Sequence, residues 1–264
     1  MRCLFNVLVW LVISATFASA SPFSAGKLAR VSGTTNSDPT TDPNWSSVKT
    51  LLHFDGSDGS TTITDSSTSA LTYTANGSAT ISTSASKFGG SSLKLDGGGY
   101  VKTTTDPVVH CNVAASTWTI EMWIYRTGTP NSQYNYSLGV GQYAYNSGAY
   151  YWGFGIRNDN TASFLDNNAY AYSDTVISLY TWTHIAAVSN AGVVTVYVNG
   201  VAGTHTLSSL QTLGSLGYLN IGSFNNGSYP GSVFPGLIDD LKITDGVAVY
   251  TSNFTPRHSA FPNS

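Results

Sequence analysis

Glutamate is nearly missing from this chain: among its 264 residues, Glu121 stands alone. Charge of either sign is sparse, with Asp, Glu, Lys and Arg at 9%, against roughly 25% in an average soluble domain. The net charge of −3 offers no basic face, so nucleic acid is not an expected partner. Cysteine is limited to Cys3 and Cys111. Cys3 falls in a segment read below as a leader, so the mature chain can form no intrachain disulfide, and a domain of this size can do without one. Cys111 reads as a small, half-buried residue near a loop, or else as a thiol that pairs between chains. Its neighbour His110 points the other way on an extended segment, which argues against a nucleophile and base. No Cys and His spacing marks a zinc site. No stretch keeps a 3.6-residue period for three turns, which excludes helical architecture beyond a single turn near Gly246–Tyr250.

Ser, Thr, Gly, Asn and Tyr replace the charges. Hydrophobic residues still reach 41% and come in short alternating runs, which favours an all-β chain over a disordered one. The start reads as a secretory signal over residues 1–20: Met1-Arg2, an apolar run from Leu4 to Phe17, then the small-x-small site Ala18-Ser19-Ala20. The alternative is a membrane anchor, but the run is short for a span of roughly 20 residues. Residues 21–47, rich in Ser, Thr and Pro, read as a flexible linker with almost nothing to bury. Residues 48–264 read as one domain. The expectation is therefore a secreted or surface-displayed chain with no membrane insertion after cleavage. Asn44, Asn76, Asn135, Asn226 and Asn253 head glycosylation sequons.

Strand signals recur at short spacing. They run through Val48–Phe54, Ser92–Asp96, Thr117–Tyr125, Tyr151–Arg157, Thr181–Val188, Val193–Val198, Tyr218–Gly222 and Gly236–Ile243. Asn199-Gly200 is the best hairpin signal, because both residues tolerate positive φ in a type I′ turn. Many strands without a blade-length repeat predict two packed antiparallel sheets, a jelly-roll β-sandwich, with Leu51–Phe54 beside Ile238–Ile243.

The order of short motifs then carries a resemblance. Leu51-Leu52-His53-Phe54-Asp55-Gly56 comes first, then Asp65-Ser66-Ser67, then Ser86-Lys87-Phe88-Gly89-Gly90-Ser91-Ser92-Leu93 and Asp96-Gly97. Thr119-Ile120-Glu121-Met122-Trp123-Ile124, Trp182-Thr183-His184-Ile185-Ala186 and Val198-Asn199-Gly200 follow. Gly236-Leu237-Ile238-Asp239-Asp240-Leu241-Lys242-Ile243 and Gly246-Val247-Ala248-Val249-Tyr250 close the series. It resembles the laminin-G-like jelly rolls of the concanavalin A-like lectin/glucanase superfamily over roughly residues 43–262, in a variant common in marine bacteria and in phage tail or capsid-surface proteins. The resemblance implies a β-sandwich, often one structural Ca²⁺, and binding of glycans or proteins. It does not fix the ligand.

Retaining glycoside hydrolysis needs two carboxyl groups about 5–5.5 Å apart. On its own strand face Glu121 has only Thr119 and Trp123 as neighbours, so it is expected to pair with an adjacent strand or to sit at a polar sheet surface. No Gly-x-Ser-x-Gly elbow is present. The chain is therefore expected not to be an enzyme. Calcium takes six to eight oxygens from carboxylates and loop carbonyls. Asp65, Asp96, Gly97, Asp239 and Asp240 are the candidates, with Asp239 preferred by the resemblance; the alternative is that these residues make turns and caps. For ligand contact the candidates are Tyr134, Tyr136, Tyr143, Tyr145, Tyr170 and Tyr172, with Asn226 and Tyr229 in a second loop. Tyr supplies rigid contact area, and Asn and Ser supply adaptable hydrogen bonds. The same alternating tyrosines can also simply pack along strand edges. The expected function is carbohydrate binding or adhesion through a glycan or cell-surface protein ligand. The alternatives are a structural interaction domain of a fibre, matrix or virion surface and, behind both, a glycoside hydrolase. Oligomeric state is left open.

Overall fold

The computed structural model describes residues 37–96, 98–104, 113, 117–129, 136–143, 151–210, 218–223 and 233–264, with the side chains of 138–142 in the 136–143 stretch. Ser37–Ser264 forms one compact unit. The expected leader, and the expected linker as far as Asn36, lie outside the described residues. The described strands are β1 (Val48–Leu52), β2 (Tyr73–Asn76), β3 (Thr80–Ser82), β4 (Ser92–Leu95), β5 (Tyr100–Thr103), β6 (Trp118–Arg126), β7 (Tyr136–Tyr143) and β8 (Tyr151–Arg157). They continue with β9 (Thr161–Asp166), β10 (Ala169–Val176), β11 (Trp182–Asn190), β12 (Val193–Val198), β13 (Val201–Ala202), β14 (Leu219–Ile221) and β15 (Gly236–Asp245).

They form two sheets. The first runs β13-β12-β11-β6-β15-β4-β3, with β1 also on β15; the second runs β10-β9-β8-β7-β14-β5-β2. The strands pair antiparallel. Alternation sorts the side chains as the period of two requires. Trp118, Ile120, Met122 and Ile124 of β6 face Trp152, Phe154 and Ile156 of β8 and Ala162 and Phe164 of β9 in one shared core. Trp118 and Phe164 meet across the two sheets with ring centroids 4.9 Å apart. The fold is thus the two-layer jelly-roll sandwich that the strand pattern predicts. Asn199 and Gly200 both take positive φ and join β12 to β13 in the expected tight turn.

The terminal strands pair as expected, Leu51 opposite Lys242 and Leu52 opposite Leu241. On that flank β15 changes partner. Gly236–Ile238 bond to β4, whereas Leu241–Thr244 bond to β1. A bulge lies at the handover, between Asp239 and Lys242, and Asp240 takes a φ of 50° there. A bulge re-aims side chains and leaves backbone groups to be satisfied locally, so a pair of acids at this place has a structural task.

The outer face of the first sheet carries a third layer that the strand pattern does not show. Beyond β15 the chain folds back over it. Thr119 Oγ1 donates to the Val247 carbonyl and accepts from the Val249 N–H, so those backbone groups bond a strand side chain and no helical turn forms, contrary to the expectation for Gly246–Tyr250. Tyr250 and Phe254 stack at 3.5 Å and pack on Ala186, Val188 and Tyr197. Phe261 packs with Val48, Leu51 and Trp45. The end of the expected linker is also held. Asp38 accepts the N–H groups of His258 and Ser259, each at 2.6 Å. The Asp42 N–H donates to the Ser264 carbonyl, and the Asp42 carboxylate meets Lys242 at 3.0 Å. Residues 38–47 have little to bury, yet their carboxylates supply acceptors that the C-terminal segment needs. These contacts join residues 38–42 of the expected linker to the C-terminal segment and to β15.

Candidate ligand-binding face

On the outer face of the second sheet, strand register lines up one row of side chains across its whole width. Tyr170 of β10 lies opposite Leu165 of β9, and Leu165 opposite Gly153 of β8. Gly153 lies opposite Gly141 of β7, and Gly141 opposite Asn220 of β14. Asn220 lies opposite Lys102 of β5, and Lys102 opposite Thr74 of β2. A second row places Tyr172 beside Ser163 and Ser163 beside Gly155. The glycines have a steric cause. A Cβ on Gly141 would stand 2.5 Å from the Trp152 carbonyl oxygen and 2.9 Å from Leu138 Cδ1. Leu138 and Leu165 form a small buried apolar cluster on this face, against which Tyr151 and Tyr170 pack.

One flank of the face is an aromatic ladder. Arg157, outward at the end of β8, reaches over the small Ser163 of β9. Its guanidinium lies 5.4 Å from the Tyr170 ring and 4.4 Å from the Tyr172 ring, within the range of cation–π attraction. Tyr172 also stacks on His205 at 3.9 Å, so the ladder runs Tyr170, Arg157, Tyr172, His205. Asp174 accepts from Thr204 and meets His205 Nδ1 at 3.2 Å. Thr204, chiefly through its backbone N–H, holds the Asp174 carboxyl below its ordinary value. Burial pushes the Tyr170 hydroxyl up, against the opposing charge of Arg157. Tyr151 donates to Asn168 Oδ1 at 2.9 Å, beside a hairpin whose Asn167 and Asn168 both take positive φ. The opposite flank is polar. Lys102 lies 4.7 Å from the Tyr218 ring. Asn220 donates to the Tyr218 carbonyl, while its buried Oδ1 has no partner among the described residues.

Of the tyrosines expected to contact ligand, Tyr170 and Tyr172 come together here. Tyr136 and Tyr143 begin and end β7, where their backbones lie opposite Arg157 and Tyr151. Tyr134, Tyr145, Asn226 and Tyr229 lie outside the described residues, as do His110 and Cys111. The sequence reading missed Arg157, Tyr151 and His205. A signal for the first two was present, because Tyr151, Gly153, Gly155 and Arg157 share a face by the period of two. Their neighbours on β10, however, follow only from the register.

The expected calcium residues do not converge. Asp65 accepts the N–H groups of Leu51, Ser67 and Leu71 at 2.9–3.0 Å, so it closes a loop onto β1. Asp96 pairs with Lys94 at the surface, 3.1 Å apart. Gly97 lies outside the described residues. Asp240 meets His53 Nδ1 at 2.6 Å and accepts the Phe261 N–H. Asp239 Oδ2 accepts the N–H groups of Lys87 and Phe88, while its buried Oδ1 has no partner among the described residues. Burial, with Asp240 and Asp55 nearby, raises the Asp239 carboxyl to about 7. Among the described residues, no three His, Cys, Asp or Glu gather closely enough to hold a metal ion. Of the four described candidates, Asp239 is the one with a buried carboxylate oxygen that has no partner among the described residues.

Glu121 pairs with adjacent strands, as expected, but it is wholly buried and not at a sheet surface. Lys242 Nζ lies 3.1 Å from one oxygen. His184 Nε2 and the Tyr250 hydroxyl meet the other at 3.3 and 2.7 Å. Burial pushes the carboxyl up, but Lys242 and His184 outweigh it and hold it at about 2.

Residues 95–249 match the laminin-G-like family model described as the concanavalin A-like lectin/glucanases superfamily. No curated protein matches the sequence significantly. Among solved structures, the chain resembles domain 4 of an extracellular GH43 arabinanase from Geobacillus stearothermophilus, in complex with arabinotriose. The TM-score is 0.53 at 16% identity, over 76% of this chain and 94% of that domain. It also resembles Trypanosoma rangeli sialidase in complex with sialic acid, at TM-score 0.54 and 13% identity, over 75% of this chain and 31% of the sialidase. At such identities the likeness is one of fold. With a two-sheet jelly roll and a family match across more than half its length, the chain belongs to the concanavalin A-like lectin/glucanase superfamily.

Proposed function

We propose that this chain is a non-catalytic carbohydrate-binding module, exported by its N-terminal signal and used for attachment to a glycan-bearing surface. The observation that carries the reading is the row from Tyr170 to Lys102, aromatic at one flank and polar at the other. Sugars present apolar ring faces and hydroxyls together. Tyr rings match the former, and the Arg157 guanidinium and Lys102 ammonium the latter. The two solved neighbours were each captured with a sugar, which supports the same class of ligand here. The lack of enzymatic activity is supported by Glu121, the lone glutamate, which is buried against Lys242, His184 and Tyr250. A structural calcium ion belongs to the reading at Asp239, through its free Oδ1.

The test is a glycan array with the wild type and the variants Tyr170→Ala and Arg157→Ala, each with its melting temperature recorded. Loss of an anchoring Tyr or Arg at a binding surface costs about 2 kcal/mol, or about 30-fold in affinity. Binding weakened on that scale in folded variants supports the proposal. Unchanged binding in both variants removes this face from it. Stable self-association with no glycan bound favours an interaction domain of a fibre, matrix or virion surface. Release of reducing sugar overturns the non-catalytic reading.

A further inference from the structure

Among the described residues, the outer face of the first sheet is covered at one end only. On β6 the outward residues are Thr119, Glu121, Trp123 and Tyr125. Thr119 and Glu121 lie beneath the returning segment, through Val247, Val249 and Tyr250. Trp123 is covered by Lys87, whose ammonium lies 3.9 Å from its ring, and by Phe88. At Tyr125 the cover among the described residues ends, and a groove of about 440 Å³ opens. That volume lies within the usual range for ligand pockets, roughly 300–1,000 Å³. Tyr125, Tyr180 and Leu237 supply its apolar lining, and Lys94, Asp96 and Thr127 its polar lining.

The aromatic wall is built at a conformational cost. Tyr180 is 63% exposed yet holds a φ of 56°, a left-handed conformation unfavourable for a bulky residue. It is fixed there. Its N–H donates to the Arg126 carbonyl, and its hydroxyl donates to the Thr127 carbonyl. The buried Arg126 side chain donates to the Ile177 and Gly128 carbonyls and to Asn160 Oδ1, which fastens the segment before Tyr180 to β6. The Tyr180 ring stands at 64° to Tyr125, and Tyr125 rests against Trp182 with centroids 5.4 Å apart. The result is a fixed aromatic corner with one ring largely in solvent. Across the groove, Lys94 and Asp96 form an exposed pair 3.1 Å apart. They offer a donor and an acceptor side by side, the arrangement that grips neighbouring hydroxyls of one sugar ring. Burial in the core explains neither the exposure nor the backbone conformation of Tyr180.

We propose that this groove is a second saccharide-binding site, on the sheet opposite the Tyr170–Lys102 row, and that the domain engages two glycan segments at once. The ligand class rests on the reading of the chain as a glycan-binding module; the groove itself does not rest on the first face. Two sites on opposite faces let one domain cross-link chains, and they raise avidity on a glycan-dense surface without any new contact.

The experiment is calorimetric titration with xylohexaose, cellohexaose, laminarihexaose, arabinohexaose and sialyllactose. It compares the wild type, Tyr170→Ala for the first face, and Tyr180→Gly and Asp96→Ala for the groove. Tyr180→Gly separates structure from binding. Glycine takes the left-handed conformation without strain, so its melting temperature should be unchanged or higher while groove affinity falls at least tenfold. Asp96→Ala, at an exposed position, should weaken the same site without lowering the melting temperature. The expected wild-type stoichiometry is two, falling to one in either class of variant. A stoichiometry of one, lost with Tyr170→Ala and unaffected by both groove variants, overturns the groove and leaves the first face standing. A stoichiometry of one lost only in the groove variants supports the groove as a site and removes the first face. No binding by the wild type overturns both. A fall in melting temperature for Tyr180→Gly with binding unchanged makes Tyr180 structural and overturns the groove.

Discussion

Lys242 stands directly opposite Glu121 on neighbouring strands, and its ammonium lies between that carboxylate, at 3.1 Å, and the Asp42 carboxylate, at 3.0 Å. One cation thereby ties the N-terminal edge of the domain to the centre of the first sheet. Breaking a buried pair leaves an uncompensated charge, so Lys242→Met should cost about 3–5 kcal/mol. Glu121→Gln combined with Lys242→Met should lose less than the two single losses added. The pH dependence follows from the depressed acid. Glu121 is held at about 2 when folded, against 4.5 ordinarily. Its stabilising contribution is fully present above about pH 4.5 and is lost as pH falls toward 2. Urea unfolding across that window should show the loss in the wild type and a flatter profile in Glu121→Gln.

His53 should give the opposite slope. Its Nδ1 faces Asp240 at 2.6 Å and its Nε2 faces Asn263 Oδ1 at 2.8 Å, so both ring nitrogens serve as donors. Burial works against the charged ring, but Asp240 and Asn263 raise it from 6.5 to about 9. The contribution is complete below pH 6.5 and disappears as pH rises through 9. It amounts to no more than about 3 kcal/mol. Unfolding measured from pH 6 to 10 should show this decline in the wild type. In His53→Gln the decline should be absent and the stability near pH 6 lower.

Much of this fold is legible in the sequence because it depends on a local period. The alternation in Trp118–Ile124 and Val193–Val198 sorts the residues that face the second sheet from those that face away from it without knowledge of any partner, and Asn199-Gly200 announces its own turn. The third layer is not legible in this way. Nothing local in Thr119 or Glu121 says that Val247, Val249 and Tyr250 will cover them, and the acceptors that Asp38 and Asp42 supply become meaningful only when the C-terminus arrives beside them. The candidate face was half visible. Tyr170 and Tyr172 share a face by period, but Arg157 reaches them only because β9 lies between its strand and theirs with the small Ser163 in the path. The groove was invisible, since a tyrosine at φ 56° stands where sequence rules expect glycine or asparagine.

Asp65 should behave as a structural cap. Its Oδ1 accepts from Leu51 and Ser67, and its Oδ2 from Leu71, which joins the 65–71 loop to β1 at a site only 9% exposed. Each buried donor left without a partner costs about 1–3 kcal/mol. Asp65→Ala removes both acceptor oxygens, leaves three N–H donors without them, and should lower stability by about 3 kcal/mol or more. Asp65→Asn keeps one oxygen and turns an NH₂ group toward one backbone donor, so its loss should be smaller, about 1–2 kcal/mol on the same scale. Chemical denaturation of the two variants beside the wild type checks the order. No loss in either variant would mean that the carboxylate is not what holds the loop.

Asp239 offers the test of a structural cation. Two backbone N–H groups satisfy Oδ2, while Oδ1 is buried without a partner among the described residues. A buried acceptor in that condition is an unfavourable feature unless something supplies positive charge or a proton. Calcium takes oxygen donors and tolerates irregular geometry, and an ion bound only by the folded chain raises stability by mass action. At pH 8, millimolar calcium should therefore raise the melting temperature above that in chelator. Asp239→Asn should abolish the difference, whereas Asp96→Asn, at the exposed Lys94 pair, should retain it. Identical melting in calcium and chelator would exclude the ion.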